Sequence, residues 1–371
     1  MRIDVLKLNH VRMKLSSPFE TSFGRIKTRD CIVVEGLSDS LIGLGECVAD
    51  REPGYSYETT ITAWHIIKDY LAPALIGQEI DSVGELRLKM SHVRGHPMAK
   101  AAIEMVYWDL LGKRDGLSLV QMLGGQRKQV DVGVSIGIQD SPKALVDTVA
   151  DYLAQGYQRV KIKIKPGHDV SDTVSVRSVY PDLQLQVDAN SAYTLDSAAV
   201  LQPLDELDLL LIEQPLAEDD LWDHSQLQAR FNTPICLDES IQSPRHARQA
   251  IEMGSCRVIN IKAGRVGGLS QALAIHDLCL AHDVPVWCGG MLETGIGRSA
   301  NLALASLPNF KLPGDISATE RYYEDDITQE IFTLNSNSTI DVPEGHGLGV
   351  SIDQKALKRA TLDTLTISED L

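Results

Sequence analysis

Five charged residues recur along the chain at an almost constant spacing, and each follows a short apolar run. The separations between them are 25, 25, 25 and 24 positions. Such a step is the length of one strand–helix–loop unit, so we predict five consecutive strands that each end in an ionisable group. In a closed parallel barrel the strand ends converge on one rim, where functional sites lie. These residues are Lys163, Asp188, Glu213, Asp238 and Lys262.

The middle of the chain continues this alternation of strand and helix, which is typical of parallel β/α units. Seven or eight such units favour a (β/α) barrel over an open sheet. Two of the helices are predicted to begin at Ser141-Pro142 and Ser243-Pro244, because serine caps a helix and proline fits its first turn. We predict strands near 130–136, 159–164, 183–187, 208–212, 234–237, 257–261 and 284–288, with a weak eighth near 311–313.

The barrel region, residues 126–319, lies between two regions of different pattern. Residues 1–125 predict an α+β module that opens with three antiparallel strands. Residues 320–371 return to short strand-like pieces, and we expect them to pack back on that module. The strands of the first module are predicted near 3–13, 31–37 and 41–48, and the helices of the two flanking regions near 57–72, 81–92, 97–115 and 353–360.

The composition excludes several kinds of partner. A net charge of −16 argues against nucleic acid, whose binding needs clustered lysine and arginine, but it leaves a small anionic substrate open. We find no signal-peptide pattern and no run near the ~20 apolar residues that span a bilayer, so we expect a cytoplasmic protein without a membrane partner. The six cysteines show no CxxC spacing and the histidines no HExxH motif, which predicts free thiols and argues against zinc.

Three of the five spaced residues are acids that end adjacent strands. Each of Asp188, Glu213 and Asp238 alone is better explained as a loop-start acid or a helix cap. Three in register at a 25-residue step instead indicate a metal site. Carboxylate oxygens with open positions for substrate suit a hard dication, so we predict Mg²⁺, with Mn²⁺ as a substitute.

The other two spaced residues are lysines that could act as bases. Lys161 and Lys163 are alternate residues of one predicted strand and therefore share a face. If that face is the barrel interior, each ammonium disfavours charging of the other, and Lys163 could serve as a general base; a solvated strand edge is the alternative. Lys262 ends another strand and could reach the other face of a substrate. Two bases beside a dication predict proton abstraction α to a carboxylate.

Several longer stretches resemble a known family. Leu185–Asn190, Leu211–Leu216, Pro234–Ser240 and Val286–Met291, with the Lys-x-Lys pair and the Gly289–Gly297 loop, closely resemble the muconate-lactonising subgroup of the enolase superfamily. Within it they resemble o-succinylbenzoate synthases of the type that also includes N-succinylamino-acid racemases. The likeness covers almost the whole chain. One departure is Ala263, where proline more often follows the lysine.

The resemblance implies a modified (β/α) TIM-type barrel with an N-terminal α+β capping domain, Lys163 and Lys262 as the catalytic pair, and Mg²⁺ on the three acids. It also implies a mobile lid over Pro18–Gly24, assisted by Tyr55, and support behind the metal site from Glu239. The residues expected to contact substrate are Lys161, Phe19, Phe23, Tyr55, Ser135, Asn190, Arg265, Gly289, Gly290 and Met291.

Two activities remain open on this resemblance. The first is o-succinylbenzoate synthase, a lyase of menaquinone biosynthesis, in which Lys163 takes the α-proton and Lys262 acts as an electrostatic stabiliser. The second is an N-succinyl- or N-acylamino-acid racemase, in which both lysines exchange protons; Arg265 beside Lys262 would favour it by lowering the pKa of that lysine. Both activities can coexist. Muconate cycloisomerase, dipeptide epimerase and a non-catalytic binding protein rank lower, and a homo-oligomer is open.

Overall fold

The chain builds an antiparallel sheet, a parallel sheet and a two-stranded ribbon, and a computed structural model describes its residues 1–369. The predicted region 320–371 thus ends two positions outside the described residues. The strands are β1 (Val5–Thr21), β2 (Gly24–Ser38), β3 (Leu41–Cys47), β4 (Gln129–Asp131), β5 (Val134–Ile136), β6 (Arg159–Lys163), β7 (Gln184–Asp188), β8 (Ile212–Glu213), β9 (Ile235–Leu237), β10 (Val258–Ile261), β11 (Val286–Cys288), β12 (Thr339–Asp341) and β13 (Thr361–Ser368).

From β5 to β11, helices alternate with the strands of the parallel sheet, as the sequence predicts. The helices of the described chain are α1 (Thr60–Ile66), α2 (Ala72–Leu75), α3 (Val83–Lys89), α4 (Pro97–Asp115), α5 (Leu119–Leu123), α6 (Pro142–Ala154), α7 (Val170–Val179), α8 (Leu221–Gln228), α9 (Pro244–Met253), α10 (Ala263–Val266), α11 (Leu269–Ala281), α12 (Gly295–Ala305), α13 (Thr319–Tyr322) and α14 (Gln354–Ala360). A π-helical turn spans Ile67–Leu71, and 3₁₀ helices span Met90–His92 and Ser197–Glu206.

The parallel sheet is a curled one of seven strands in the order β11-β10-β9-β8-β7-β6-β5. The weak eighth strand predicted near 311–313 is wrong as a strand, because Pro313 and Gly314 interrupt regular pairing. The segment 310–315 nevertheless bridges both edges: Phe310 pairs with Val286 of β11, and Gly314 pairs with Val132, just before β5. The barrel predicted from the alternation is therefore confirmed, with an irregular segment closing it.

Two other predicted strands differ from the observed ones. The stretch 130–136 is divided into β4, which pairs with β12, and β5, which joins the parallel sheet. Gly133 lies at the break, where a Cβ would overlap the side chain of Arg159. The stretch 208–212 becomes strand only at Ile212, because Asp208 has a φ of 48° and interrupts the extended conformation.

The residues at the starts of several helices account for where those helices begin. The Ser141 and Ser243 side chains accept hydrogen bonds from the backbone N–H groups of Ala144 and His246, which confirms both predicted helix starts. The helix predicted over 57–72 begins only at Thr60 and widens into the π-helical turn before Pro73. Proline has no N–H and its ring crowds the preceding turn, which accounts for the widening.

The antiparallel sheet has the order β13-β1-β2-β3. Strand β13 pairs with β1, so the end of the described chain returns to its beginning. The β1–β2 pair extends to Thr21 and Gly24, and the predicted lid Pro18–Gly24 is therefore the tip of a β-hairpin. Gly24 has a φ of 139°, a conformation that other residues rarely adopt, which permits the tight turn.

Two buried carboxylates of the N-terminal half attach it to helices of the barrel. Glu46 of β3 accepts hydrogen bonds from the backbone N–H groups of Thr294 and Gly297 at the start of α12. Glu104 of α4 accepts hydrogen bonds from the N–H and hydroxyl of Ser270 at the start of α11. Helix N-termini present unpaired N–H groups and a positive dipole end, which carboxylates satisfy. The boundaries predicted for the three regions stay predictions.

Within residues 1–369, no helix is long and apolar enough to cross a membrane. The cytoplasmic location stays a prediction.

Candidate active site

A cavity of about 280 Å³ lies between the hairpin tip and the carboxyl ends of the parallel strands. Its floor carries three lysines, and its roof carries apolar side chains of the hairpin. Charged groups and apolar side chains thus line the same cavity. The predicted site residues that line it are Phe19, Phe23, Tyr55, Ser135, Lys161, Lys163, Asn190, Lys262, Gly290 and Met291.

The two lysines of β6 share one carboxylate. Asp188 Oδ2 lies 2.5 Å from Lys163 Nζ and 3.1 Å from Lys161 Nζ, so both side chains point to the barrel interior. Lys161 also lies 2.8 Å from Glu213 Oε2. Burial lowers the pKa of Lys161, but its surrounding carboxylates outweigh this effect and raise that pKa well above its usual range. The solvated strand edge considered for these lysines is excluded.

The third lysine lies among the groups at the end of β9 and β10. Lys262 Nζ donates a 2.8 Å hydrogen bond to Asp238 Oδ2 and a 3.1 Å hydrogen bond to the Tyr55 hydroxyl. Its ammonium also lies 4.4 Å from the centre of the Tyr55 ring, a favourable position for a cation. The site therefore holds Lys262 as a positive charge in contact with one acid and one aromatic ring.

Arg265 lies behind Tyr55 rather than in the cavity wall. Its guanidinium forms an ion pair with Asp238 and donates to the backbone carbonyls of Ile241 and Asn260. The expectation that Arg265 lowers the pKa of Lys262 is wrong. Burial lowers the pKa of Lys262, but Tyr55 and nearby carboxyl groups raise it by more than burial lowers it. Asp238 contacts both Lys262 and Arg265.

The three acids at the strand ends are fully buried, and two of them, Asp188 and Glu213, lie side by side. Asp188 and Glu213 are directly paired in the register of β7 and β8. Burial raises the pKa of Glu213, and the neighbouring Asp188 raises it further. Burial also acts to raise the pKa of Asp188, but Lys163 and Lys161 lower it below its usual range. The negative charge of Asp188 therefore makes it harder for Glu213 to lose its proton.

The residues present fit a hard dication by their chemistry. Asp188, Glu213 and Asp238 are buried oxygen donors on three neighbouring strand ends, and hard dications prefer such ligands. Within the described residues, no three acidic, cysteine or histidine groups stand at metal-coordinating separations. The ammonium groups of Lys161 and Lys262 also contact these acids. The metal assignment stays a prediction.

Asn190 connects the lysine of β6 to the hairpin. Its Oδ1 accepts a 2.8 Å hydrogen bond from Lys163 Nζ, and its Nδ2 donates a 2.9 Å hydrogen bond to Glu239. Its carbonyl oxygen accepts a 3.0 Å hydrogen bond from the Ser22 hydroxyl at the hairpin tip. Burial, followed by the charge of Asp188, raises the pKa of Glu239 to about 7. Glu239 thus supports Asn190 rather than lining the cavity.

The loop after β11 needs its glycines for close contact. A Cβ at Gly289 would lie 2.6 Å from Lys262 Cε, so glycine makes room for that lysine without lining the cavity. The backbone N–H of Met291 donates to Glu293, while its carbonyl accepts from buried Arg29. Ser135 of β5 also lines the cavity. Its buried hydroxyl has no hydrogen-bond partner within residues 1–369, which makes it available to a ligand.

Sequence reasoning missed several buried polar groups around these residues. Asn260 donates to Glu213 Oε1, and Gln214 Oε1 accepts from the backbone N–H of Asp238. Asp315 lines the cavity and lies 2.6 Å from Lys161 Nζ, and its other oxygen lies 2.7 Å from Arg159. Two signals could have found the last pair. Arg159 continues the alternation of the β6 lysines, and Asp315 follows the segment predicted as the eighth strand.

Comparison with known proteins identifies the family. Residues 3–124 match the mandelate racemase/muconate lactonizing enzyme N-terminal domain, and residues 144–356 match the enolase C-terminal domain-like family. The chain is 50% identical over 362 residues to an o-succinylbenzoate synthase of Geobacillus kaustophilus, which covers 97% of this chain and 96% of that protein. It is 47% identical over 362 residues to an N-succinylamino acid racemase of Amycolatopsis, with 97% and 98% covered.

A crystal structure of an enolase superfamily member from Listeria innocua matches with a TM-score of 0.95 and 42% identity, covering 99% of each chain. Fold, domain matches and full-length identity thus agree with the resemblance seen in the sequence. The chain belongs to the enolase superfamily, within the family of its o-succinylbenzoate synthase and N-succinylamino acid racemase relatives.

Proposed function

We propose that this chain is an o-succinylbenzoate synthase, which dehydrates its substrate after removing the proton α to a carboxylate. The observation that carries the proposal is the placement of Lys163 and Lys262 in one cavity, each against an acid at a strand end. Relatives named o-succinylbenzoate synthase, 44–50% identical to this chain, support the same activity. Three lysines in the cavity also suit an anionic small molecule.

In this mechanism Lys163 acts as the base. Its neutral amine takes the α-proton and then gives it to the leaving hydroxyl on the same face, so the C–H and C–O bonds break and one water leaves. Asn190 orients Lys163 through the hydrogen bond to its Nζ. Lys262 reaches the cavity from the end of β10, with three strands between β10 and β6, and its contacts with Asp238 and Tyr55 suit a lasting positive charge. Phe19 and the rest of the hairpin tip exclude water.

Asp188, Glu213 and Asp238 would hold Mg²⁺ in this mechanism, with Mn²⁺ as a substitute. Members of the superfamily generally use Mg²⁺. When bound, the dication supplies positive charge that stabilises the enediolate formed as the α-proton leaves.

A second candidate is N-succinylamino acid racemase, alone or together with the first activity. The observation that favours it is that Lys163 and Lys262 line one cavity from the ends of β6 and β10, which three other strands of the curled sheet separate. Two bases at such separate positions suit a proton taken from one face of a substrate and returned to the other. The Amycolatopsis relative of that name supports it. The Arg265 argument no longer contributes, because Asp238 neutralises that guanidinium.

The test is to give the purified protein Mg²⁺ and the hydroxylated cyclohexadiene precursor of o-succinylbenzoate, and to follow loss of the diene absorbance. N-succinyl-L-phenylalanine in deuterated water is run alongside. Fast dehydration with slow deuterium exchange supports the synthase, and fast exchange with little dehydration supports the racemase. Efficient turnover of both substrates supports a bifunctional enzyme. No dehydration and no deuterium exchange would refute the proposal.

Two substitutions check the assignments of residues. Lys163→Ala should abolish both reactions, while Lys143→Ala, at an exposed lysine of α6, should leave them unchanged. An active Lys163→Ala protein would remove the base assignment. Asp188→Asn should weaken Mg²⁺ binding by at least tenfold in calorimetry, because a charged oxygen ligand is lost. Unchanged affinity would remove Asp188 from the ligand set.

A further inference from the structure

Buried charges of alternating sign run along the inner face of β6. Arg159, Lys161 and Lys163 are alternate residues of that strand, and one carboxylate lies between each neighbouring pair. Asp315 lies 2.7 Å from Arg159 Nη1 and 2.6 Å from Lys161 Nζ. Asp188 lies 3.1 Å from Lys161 Nζ and 2.5 Å from Lys163 Nζ. We call this row of side chains, Arg159, Asp315, Lys161, Asp188 and Lys163, the charge ladder. It runs from the barrel interior to Lys163, the proposed base.

Asp315 is fixed in this ladder by the segment that closes the barrel. Its backbone N–H donates a 2.8 Å hydrogen bond to the carbonyl of Cys288. Arg159 donates to the carbonyls of Pro313 and Gly314, directly before Asp315. The carboxylate is nearly inaccessible, with 6% of its side chain exposed. It therefore holds a set position and cannot turn to solvent.

The ring of Trp287 lies against Arg159 and Lys161, two cations of the charge ladder. Its ring centre lies 5.7 Å from the Arg159 guanidinium and 4.9 Å from Lys161 Nζ. Lys161 therefore has a wall on one side and three carboxylates on the other. A buried ammonium is costly unless opposite charges contact it, so these carboxylates stabilise Lys161 in this position.

Lys161 shares two of its carboxylates with the proposed metal site. Asp188 and Glu213 contact Lys161 Nζ here, and both belong to the proposed ligand set. A dication on them would repel the ammonium and would compete with it for the same oxygens. Of the three carboxylates that contact Lys161 within residues 1–369, Asp315 alone lies outside the proposed ligand set.

We propose that Asp315 is a positioning residue: it holds Lys161 beside the cavity and leaves Asp188 and Glu213 free for the dication. This inference rests on the proposed function, because it assumes a dication on those two acids. Without the charge of Asp315, Lys161 would pair more strongly with Asp188 and Glu213. The dication would then have to displace an ammonium that lacks another counter-charge.

The experiment measures Mg²⁺ and Mn²⁺ affinity by calorimetry on the full chain without substrate. Asp315→Asn is expected to weaken both affinities by at least tenfold, and Asp315→Glu, which keeps the charge, to restore most of the loss. Asp147→Asn, at an exposed aspartate of α6, is the matched control and should bind as the wild type does. An Asp315→Asn protein within twofold of the wild type overturns the proposal.

A double variant separates positioning from simple neutralisation of Arg159. Asp315→Asn leaves Arg159 buried without its counter-charge, whereas Arg159→Met with Asp315→Asn removes both charges and should recover thermal stability. The proposal expects this stable double variant still to bind Mn²⁺ at least tenfold more weakly, because Lys161 has lost its partner. Recovery of affinity together with stability would overturn it. A wild type that binds no dication would instead refute the metal site of the proposed function.

Discussion

Glu46 offers the sharpest test of how the N-terminal half supports the active site. Its carboxylate is buried and accepts hydrogen bonds of 3.1 Å from Thr294 N, 2.7 Å from Thr294 Oγ1 and 2.9 Å from Gly297 N. These donors start α12, directly after the loop that contributes Gly290 and Met291 to the cavity. Glu46→Ala removes the acceptor from a helix N-terminus and from a buried hydroxyl at once.

The expected cost follows from these contacts. A hydrogen bond to a charged group contributes about 1.5–3 kcal/mol, and each buried donor left without a partner costs about 1–3 kcal/mol. Part of this is offset, because burial makes the carboxylate itself costly and raises the pKa of Glu46. We expect Glu46→Ala to lower the free energy of unfolding by about 3 kcal/mol. Glu46→Gln keeps one acceptor oxygen and should lose about 1–2 kcal/mol.

Urea unfolding followed by circular dichroism measures the change, with Glu79→Ala, at an exposed glutamate of the same half, as the control. The catalytic efficiency of Glu46→Ala should fall at temperatures where the protein stays folded, because the loop at Gly290 loses its anchor. A loss of stability below 1 kcal/mol would refute the role of Glu46 as the cap of α12. Normal efficiency in a destabilised protein would refute its connection to the cavity.

Three further predictions use other contacts. Lys262→Arg keeps the positive charge but is a poor base, so it should reduce deuterium exchange more than dehydration; equal losses would contradict the proposed roles. Gly289→Ala should lower both activities and also thermal stability, because its Cβ would overlap the buried Asn260 side chain and lie 2.6 Å from Lys262 Cε; full activity would show that the lysine can move aside. Burial raises the pKa of Glu58 from about 4.5 to about 7, so folding takes up a proton, and stability should fall by about 3 kcal/mol as pH rises through that window. Glu58→Gln should make the free energy of unfolding less dependent on pH, which unfolding curves at several pH values measure. An unchanged pH dependence in this variant would contradict the raised pKa of Glu58.

The local pattern predicted much of the fold. Helix α4 spans the predicted 97–115, and α14 lies within the predicted 353–360, because both carry helical periodicity between clear ends. The rule that parallel strands end on one rim brought Lys163 and Lys262 into one cavity. These features depend on residues close in sequence, or on a single rule of topology, and both can be read without coordinates.

Contacts between distant segments could not be read in this way. The segment 310–315 contains Pro313 and Gly314, so it carries only the weak strand signal near 311–313, and its bridges to β11 and to Val132 are what place it in the barrel wall. Asp315 was therefore missed, although it ends a barrel segment as the other acids do. The effect of Arg265 on Lys262 was wrong for the same reason, since only coordinates show that Asp238 lies against both.

The charge balance of the site connects its architecture to its substrate. Within the described residues, five cationic side chains and five carboxyl groups meet around the strand ends: Arg159, Lys161, Lys163, Lys262, Arg265, Asp188, Glu213, Asp238, Glu239 and Asp315. The rest of the cavity lining adds two charged groups of each sign, Arg25, Arg29, Asp50 and Glu52. Unbalanced charge in a buried site costs several kcal/mol, so a dication added to this set needs two further negative charges. A substrate with two carboxylates supplies them. Both the precursor of o-succinylbenzoate and the N-succinylamino acids carry at least two, so the same balance of charge admits either substrate, and the choice between them depends on the fate of the proton held by Lys163.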